Sequence, residues 1–258
     1  MAGPRLSAMC GRYAASADID DLVEEFEVDM VSERAGEEPL PPDYNVAPTK
    51  QVYAVLERVS KEDERVTRRL AQMRWGLVPS WAKDVKIGSR MINARLETAA
   101  EKPAFKRAWA SRRCILPADG FYEWYQPDGD GSRKARKTPF FIRAREGERL
   151  AMAGIYEFWR DDTIPDGEPG AWVVSCAVLT TSATDDVGRL HDRMPLLVPA
   201  DQRDRWLDPK LSGPSEREIA TVLLPALPGI LEAYPVSTAV NNVANNGPEL
   251  IEPVPDGA

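Results

Sequence analysis

Histidine is nearly absent from this sequence: His191 is the only one among 258 residues. That excludes every catalytic design needing two histidines, among them H-E-x-x-H metalloproteases and multi-histidine zinc centres. Cysteine is almost as scarce. Cys10, Cys114 and Cys176 are an odd, widely spaced set with no C-x-x-C, which argues against a disulfide framework or a structural zinc site and points to a reducing, cytoplasmic setting. No apolar run approaches the roughly 18 residues a membrane span needs, and the N-terminal MAGPRLSAMC lacks the apolar segment of a secretory signal. Neither G-x-x-x-x-G-K-[ST] nor G-x-S-x-G occurs. Gly129-Asp-Gly131 sits in a polar loop without the third glycine or the strand-to-helix context of a nucleotide fingerprint. No cofactor, metal or membrane partner is expected.

What is present is an ordinary globular composition, 43% hydrophobic and 29% charged, in a chain long enough to bury a sizeable core. The net charge of −8 hides an asymmetry. Arg65 to Arg145 holds 19 Lys plus Arg against 7 Asp plus Glu, a balance of +12, while the rest carries −20. A basic segment on an otherwise acidic molecule suits a face that attracts phosphates. The same segment contains Trp75, Trp81, Phe105, Trp109, Phe121, Tyr122, Trp124 and Tyr125. Aromatic rings among cations hold single-stranded nucleic acid by stacking, although the same rings equally serve as core.

Hydrophobic periodicity predicts a helix over Asp18–Phe26 with Ser16 as its cap, a loop over Gly36–Pro42, and strands over Gln51–Glu57 and Arg65–Trp75 joined as a hairpin. A short helix is expected from Pro103, then strand, turn and strand over Cys114–Trp124. Further strands are expected at Thr138–Ala144, Leu150–Trp159 and Trp172–Thr181, and helices at Thr184–Leu190, Pro199–Leu207 and Ser215–Leu224, with a frayed tail after Pro248. Strands mixed with short helices, without β-α-β alternation, imply an α+β single domain built on a curved, largely antiparallel sheet.

Several residues carry candidate chemistry. Cys10 directly follows Met9. If the preceding residues are removed, Cys10 presents a free 1,2-aminothiol whose α-amine has a reference pKa near ~7.7–8.0, so roughly a tenth of it is unprotonated at neutral pH. Such an amine attacks an aldehyde to give a Schiff base, and the neighbouring thiol then closes a five-membered thiazolidine ring. The alternative is an ordinary small apolar residue near a chain end. Asn93 and Arg95 fall on one side of the chain if that segment is extended, where they orient an amine and hold a phosphate, or simply cap and turn. Glu123 lies in an aromatic stretch, so burial suits it to proton transfer, or it is a paired structural carboxylate. His191 is flanked by Arg189, Asp192 and Arg193, charged neighbours able to move its pKa, though a lone histidine also serves structure. Asn241 and Asn245 read equally as turn formers or hydrogen-bonding amides.

Taken in order, CGRY at Cys10, YNVAPT at Tyr44, RWGLVPSW at Arg74, INARLET at Ile92, RRCILPADGFYEW at Arg112, the Thr180–Ala183 run, HDRMP at His191 and PVSTAVN at Pro235 resemble the SRAP family. These are the SOS-response-associated peptidase or abasic-site processing proteins. The resemblance spans about Cys10 to Leu250 and implies one α+β domain over residues 10–250, with a curved sheet or barrel flanked by short helices and a groove for single-stranded DNA. Residues 1–9 would be an extension and 251–258 a tail. The resemblance further implies that Cys10 forms a thiazolidine crosslink with the ring-opened aldehyde of an abasic site. Asn93 would position the α-amine, Glu123 shuttle protons, and His191 assist sugar ring opening or Schiff-base handling. Arg95 would bind the phosphate beside the lesion, Trp75, Pro79 and Trp81 line the strand, and Arg193 contact a phosphate. The protein would be a nucleoid-associated monomer that protects lesions during the DNA damage response. The family name also records an autoproteolytic, hydrolase-type release of the N-terminal Cys. Here eight residues precede Met9, so either Met9 is the start and is removed, or cleavage between Met9 and Cys10 exposes the aminothiol. A self-processing thiol peptidase using Cys10, His191 and Glu123, and a non-catalytic single-strand binding module, are the two other classes these residues allow.

Overall fold

A computed structural model describes residues 11–60, 62–125, 137–211 and 229–254. Cys10 and the expected helix at Ser215–Leu224 lie outside the described residues. The first half holds β1 (Tyr13–Ala15), α1 (Ile19–Glu25), β2 (Met30–Val31), α2 (Glu33–Glu37), β3 (Asp43–Val46), β4 (Gln51–Val59), β5 (Val66–Trp75), β6 (Asn93–Arg95), α3 (Leu96–Ala99) and α4 (Lys106–Ser111). The second holds β7 (Arg113–Ala118), β8 (Gly120–Tyr125), β9 (Thr138–Ala144), β10 (Leu150–Arg160), β11 (Trp172–Ser182), α5 (Asp185–Leu190), β12 (Arg193–Pro195), α6 (Arg203–Leu207) and β13 (Leu231–Pro235).

The long strands close on themselves. β4 and β5 pair from Gln51↔Arg74 to Val59↔Val66, β4 meets β7 at Val55↔Ile115, and β10 pairs with both β7 and β11. The ring is completed by a parallel pairing of β11 with β5, at Ser175↔Arg74 and Cys176↔Trp75. The result is a five-stranded barrel, which refines the expected curved sheet. Gly154 permits its tight packing: a Cβ there would lie 2.3 Å from Leu116 Cδ1 and 2.9 Å from Cys114 Sγ. A second, antiparallel sheet runs β13-β9-β8-β1-β3, and only Asp119 separates β7 of the barrel from β8 of this sheet.

Period-2 alternation sorts the side chains into layers. The barrel lumen and the inner face of the second sheet share one core containing Tyr13, Trp75, Phe121, Ile142, Cys176 and Val178. Helices α1, α3, α4 and α6 cover the barrel's outer face through Leu22, Phe26, Ala99, Trp109 and Trp206. The outer face of the second sheet packs Tyr122 and Phe141 on Val240 and Leu250.

Four local expectations change. Helix α1 is capped by Asp18, whose carboxylate accepts the Asp21 N–H at 2.9 Å, while Ser16 N–H donates to Asp119; Asp18 directly precedes the first turn, where a cap must sit. The loop read from Gly36 begins only after α2 ends at Glu37. The helix expected from Pro103 begins at Lys106, with Pro103 in the preceding turn. The chain beyond Pro248 is ordered through Val254: Leu250 is fully buried, and Val254 N–H donates to Pro235 O at 3.0 Å. Apolar residues spaced within a Pro- and Asp-rich tail dock it on the second sheet.

Candidate active site and nucleic-acid interface

Strand β6 lies parallel to β11 with Asn93↔Val178, Ala94↔Leu179 and Arg95↔Thr180 in register. Paired residues point to the same side of a sheet. Ala94 and Leu179 belong to the outer core, so Asn93 turns with Val178 toward the gap between barrel and second sheet. The segment is extended, as required for Asn93 and Arg95 to share a side.

Glu123 reaches the same gap from the opposite wall. On β8, Phe121 packs in the inner core and Tyr122 in the outer one, so alternation sends Glu123 inward, where it is 2% exposed. The N-terminal strand runs beside it: Tyr13 pairs with Phe121 and Tyr122 N–H donates to Arg12 O at 3.0 Å. This antiparallel register carries Gly11, one peptide bond from Cys10, toward Glu123.

Helix α5 closes this end, packing on β8, β12 and β13 with Val187 in the inner core. His191 terminates it. Its Nδ1 accepts the Arg193 backbone N–H at 3.1 Å and lies 3.0 Å from Asp192 Oδ1. Asn93, Glu123 and the helix bearing His191 thus border one end of the barrel, the end at which the N-terminal strand begins.

Among the residues read as DNA contacts, Arg95 is exposed and Trp81 is 58% exposed. Trp75 and Pro79 are buried. Trp75 stands edge-on to Tyr13 at 5.0 Å and donates its indole N–H to Ile92 O at 3.0 Å, so it ties the N-terminal strand to the residue before Asn93. Arg193 is buried as well, donating to Glu97 Oε1 at 2.5 Å, to Glu97 Oε2 at 2.9 Å and to Thr180 O at 2.6 Å. The hydrogen bond from Arg193 is the main cause that holds the Glu97 carboxyl below the usual carboxylate range. Among the described residues, no group of three or more His, Cys, Asp and Glu converges as metal ligands, and no helix is long and apolar enough to cross a membrane.

Two features of the site are not legible in the local sequence. Arg12 stacks over Trp124, its Cζ 5.2 Å from the ring centroid, and donates to Asn45 Oδ1 at 2.9 Å and Asn241 O at 3.1 Å. Trp124 in turn donates its indole N–H to Asn241 Oδ1 at 2.6 Å. Arg12 lies inside the CGRY motif, where only the cysteine offers obvious chemistry; its partners lie up to 229 residues away in sequence.

Comparison with known proteins places this architecture. The family model described as SOS response associated peptidase (SRAP) matches residues 9–243, and the chain belongs to that family. It is 39% identical over 244 residues to the abasic site processing protein YoqW of Bacillus subtilis, covering 95% of this chain and 99% of that protein. It is 36% identical over 255 residues to the abasic site processing protein YedK of Escherichia coli, covering 95% and 100%. Among solved structures, a Bacteroides thetaiotaomicron protein superimposes with a TM-score of 0.73 at 24% identity, over 95% of this chain and all of that one, a likeness of fold.

Proposed function

We propose that residues 10–250 act as a monomeric abasic-site sensor, which captures the lesion in single-stranded DNA as a covalent thiazolidine through Cys10. The observation that carries this reading is the convergence of Asn93, Glu123 and the His191-bearing helix on the barrel end where the strand following Cys10 begins. The relatives' naming as abasic site processing proteins supports it.

The chemistry balances without a cofactor. The Cys10 α-amine adds to the aldehyde carbon of the ring-opened sugar, and the carbinolamine loses water to give an imine. The Cys10 sulfur then adds to the imine carbon, its proton passing to nitrogen, and the ring closes. Asn93 orients the amine, Glu123 carries protons between amine, departing water and thiol, and His191 assists opening of the sugar ring. Arg95 pairs with the phosphate beside the lesion and Trp81 stacks a base. Trp75 and Pro79 shape the strand's path from beneath the surface, and Arg193, held by Glu97 and Thr180, anchors its own strand rather than a phosphate. The Schiff-base step is lyase-like. Release of Cys10, by removal of Met9 or by autoproteolysis, precedes it. The product shields the lesion from cleavage during the DNA damage response, in the cytoplasm at the nucleoid.

Intact-mass spectrometry before and after mixing with abasic single-stranded DNA tests this. A chain beginning at Cys10 gains the oligonucleotide, and the adduct survives denaturation. Cys10→Ala abolishes it; an undiminished adduct in that variant would overturn the assignment. Peptide cleavage without an aldehyde would favour the thiol peptidase, and DNA affinity without any adduct the simple binding module.

A further inference from the structure

From Trp81 to the end of β6 at Arg95 the chain exposes four cations, Lys83, Lys86, Arg90 and Arg95, against a single acid, Asp84. Asp84 is occupied locally: Oδ1 accepts the Lys86 N–H at 2.8 Å, capping the short 3₁₀ helix Val85–Arg90. Its contact with Lys86 Nζ, at 3.9 Å between exposed groups, neutralises little.

The segment is held at several points rather than draped. Gly76, at φ +123°, and Gly88 meet backbone to backbone, and a Cβ on Gly88 would fall 2.4 Å from Gly76 O. Leu77 N–H donates to Met91 O at 3.0 Å, and the Trp159 indole donates to Ala82 O at 2.6 Å. The 3₁₀ rise of about 2 Å per residue spreads Lys86 and Arg90 over about 8 Å. Fixed cations lose less freedom on binding than the same charges on a loose loop.

We infer that Trp81 to Arg90 is a rail for the DNA strand flanking the lesion: Lys83, Lys86 and Arg90 each take a backbone phosphate, and the strand continues to Arg95. An acidic protein segment would satisfy the same charges but has no use for the exposed Trp81 ring, which offers a base its stacking partner. This inference rests on the reading that abasic single strands are held at the Asn93 end of the barrel.

The test uses the full chain and the triple variant Lys83→Ala, Lys86→Ala, Arg90→Ala, all surface positions. Binding of an undamaged oligothymidylate of about 25 nucleotides, longer than a single groove spans, is followed by fluorescence anisotropy across a salt series. Loss of three single-strand phosphate contacts is expected to reduce the salt slope by about 2 and to weaken binding roughly tenfold or more at low salt. Capture of a short abasic oligonucleotide of about 6 nucleotides, at saturating protein, is expected to match the unsubstituted chain. A triple variant that binds the long strand with unchanged affinity and slope overturns the rail. So does a polyglutamate peptide that displaces the DNA at equal charge. Because the long strand carries no lesion, failure of Cys10 to capture aldehydes would show in the short-strand assay alone and leave the long-strand result standing by itself.

Discussion

Arg12 and Asn45 form a clasp between the two ends of the chain. Arg12 Nη1 donates to Asn45 Oδ1 at 2.9 Å, while the fully buried Asn45 amide nitrogen reaches the carbonyls of Val240, Asn242 and Asn245 at 3.0–3.2 Å. One side chain therefore fixes the strand that follows Cys10 and the turn that holds Trp124.

Asn45→Ala removes the amide that ties these three carbonyls and Arg12 together, although Val240 O keeps Arg12 and Asn242 O keeps the Asn245 N–H, at a cost of about 0.5–1.5 kcal/mol for each bond lost. Calorimetry should show a Tm lower by about 2–4 °C for each kcal/mol lost. Asn45→Asp keeps an oxygen for Arg12 but not the donors, and is expected to recover only part of the loss. An alanine variant as stable as the parent chain would refute the clasp.

The Arg193–Glu97 pair makes stability depend on pH in a defined direction. Glu97 is held below the usual carboxylate range, chiefly by the hydrogen bond from Arg193. A depressed folded-state value contributes stability that is present above the unfolded value, near ~4.3, and is lost as pH falls through the folded value. The unsubstituted chain should therefore exceed Glu97→Gln in Tm at neutral pH, the gap closing below about pH 4. A gap independent of pH would contradict the pairing.

Cys114 and Cys176 are buried, and burial pushes both thiols up from their ordinary range. Thiolate is the reactive form. Iodoacetamide at pH 8 should leave both unmodified in the folded chain and alkylate both after denaturation, as read by peptide mass spectrometry. Rapid labelling of either thiol in the native state would contradict their burial.

Glu123→Gln removes the carboxylate that we propose carries protons, while keeping the shape of a side chain that is 2% exposed. The expected result is a rate of adduct formation slowed by about 10²–10⁴-fold, with DNA affinity little changed. Equal losses in rate and affinity would assign Glu123 a structural role instead.

Arg95→Ala should weaken single-strand binding uniformly across sequences and lower the salt slope by about 0.7, the share of one phosphate contact. An unchanged slope would remove Arg95 from the interface.

Sequence alone determined the long strands, because β4, β5 and β9 to β11 each carry their alternation or apolar run within a window of a few residues. It also determined the family, through motifs whose order survives without knowing how they meet. Tertiary structure decided the rest. The barrel closes through two parallel pairs that join Arg74 to Ser175 and Trp75 to Cys176, and no local periodicity encodes a pairing across about a hundred residues. That closure buries Trp75, and the placing of α3 beside β11 encloses Arg193 between Glu97 and Thr180, residue types that local pattern assigns as readily to a binding surface. It leaves Trp81 and Arg95 outside. Likewise Arg12 gained its place from Asn45 and Asn241, partners that only the folded chain brings together. Short-range propensity sets the elements, and long-range packing decides which of their side chains face solvent.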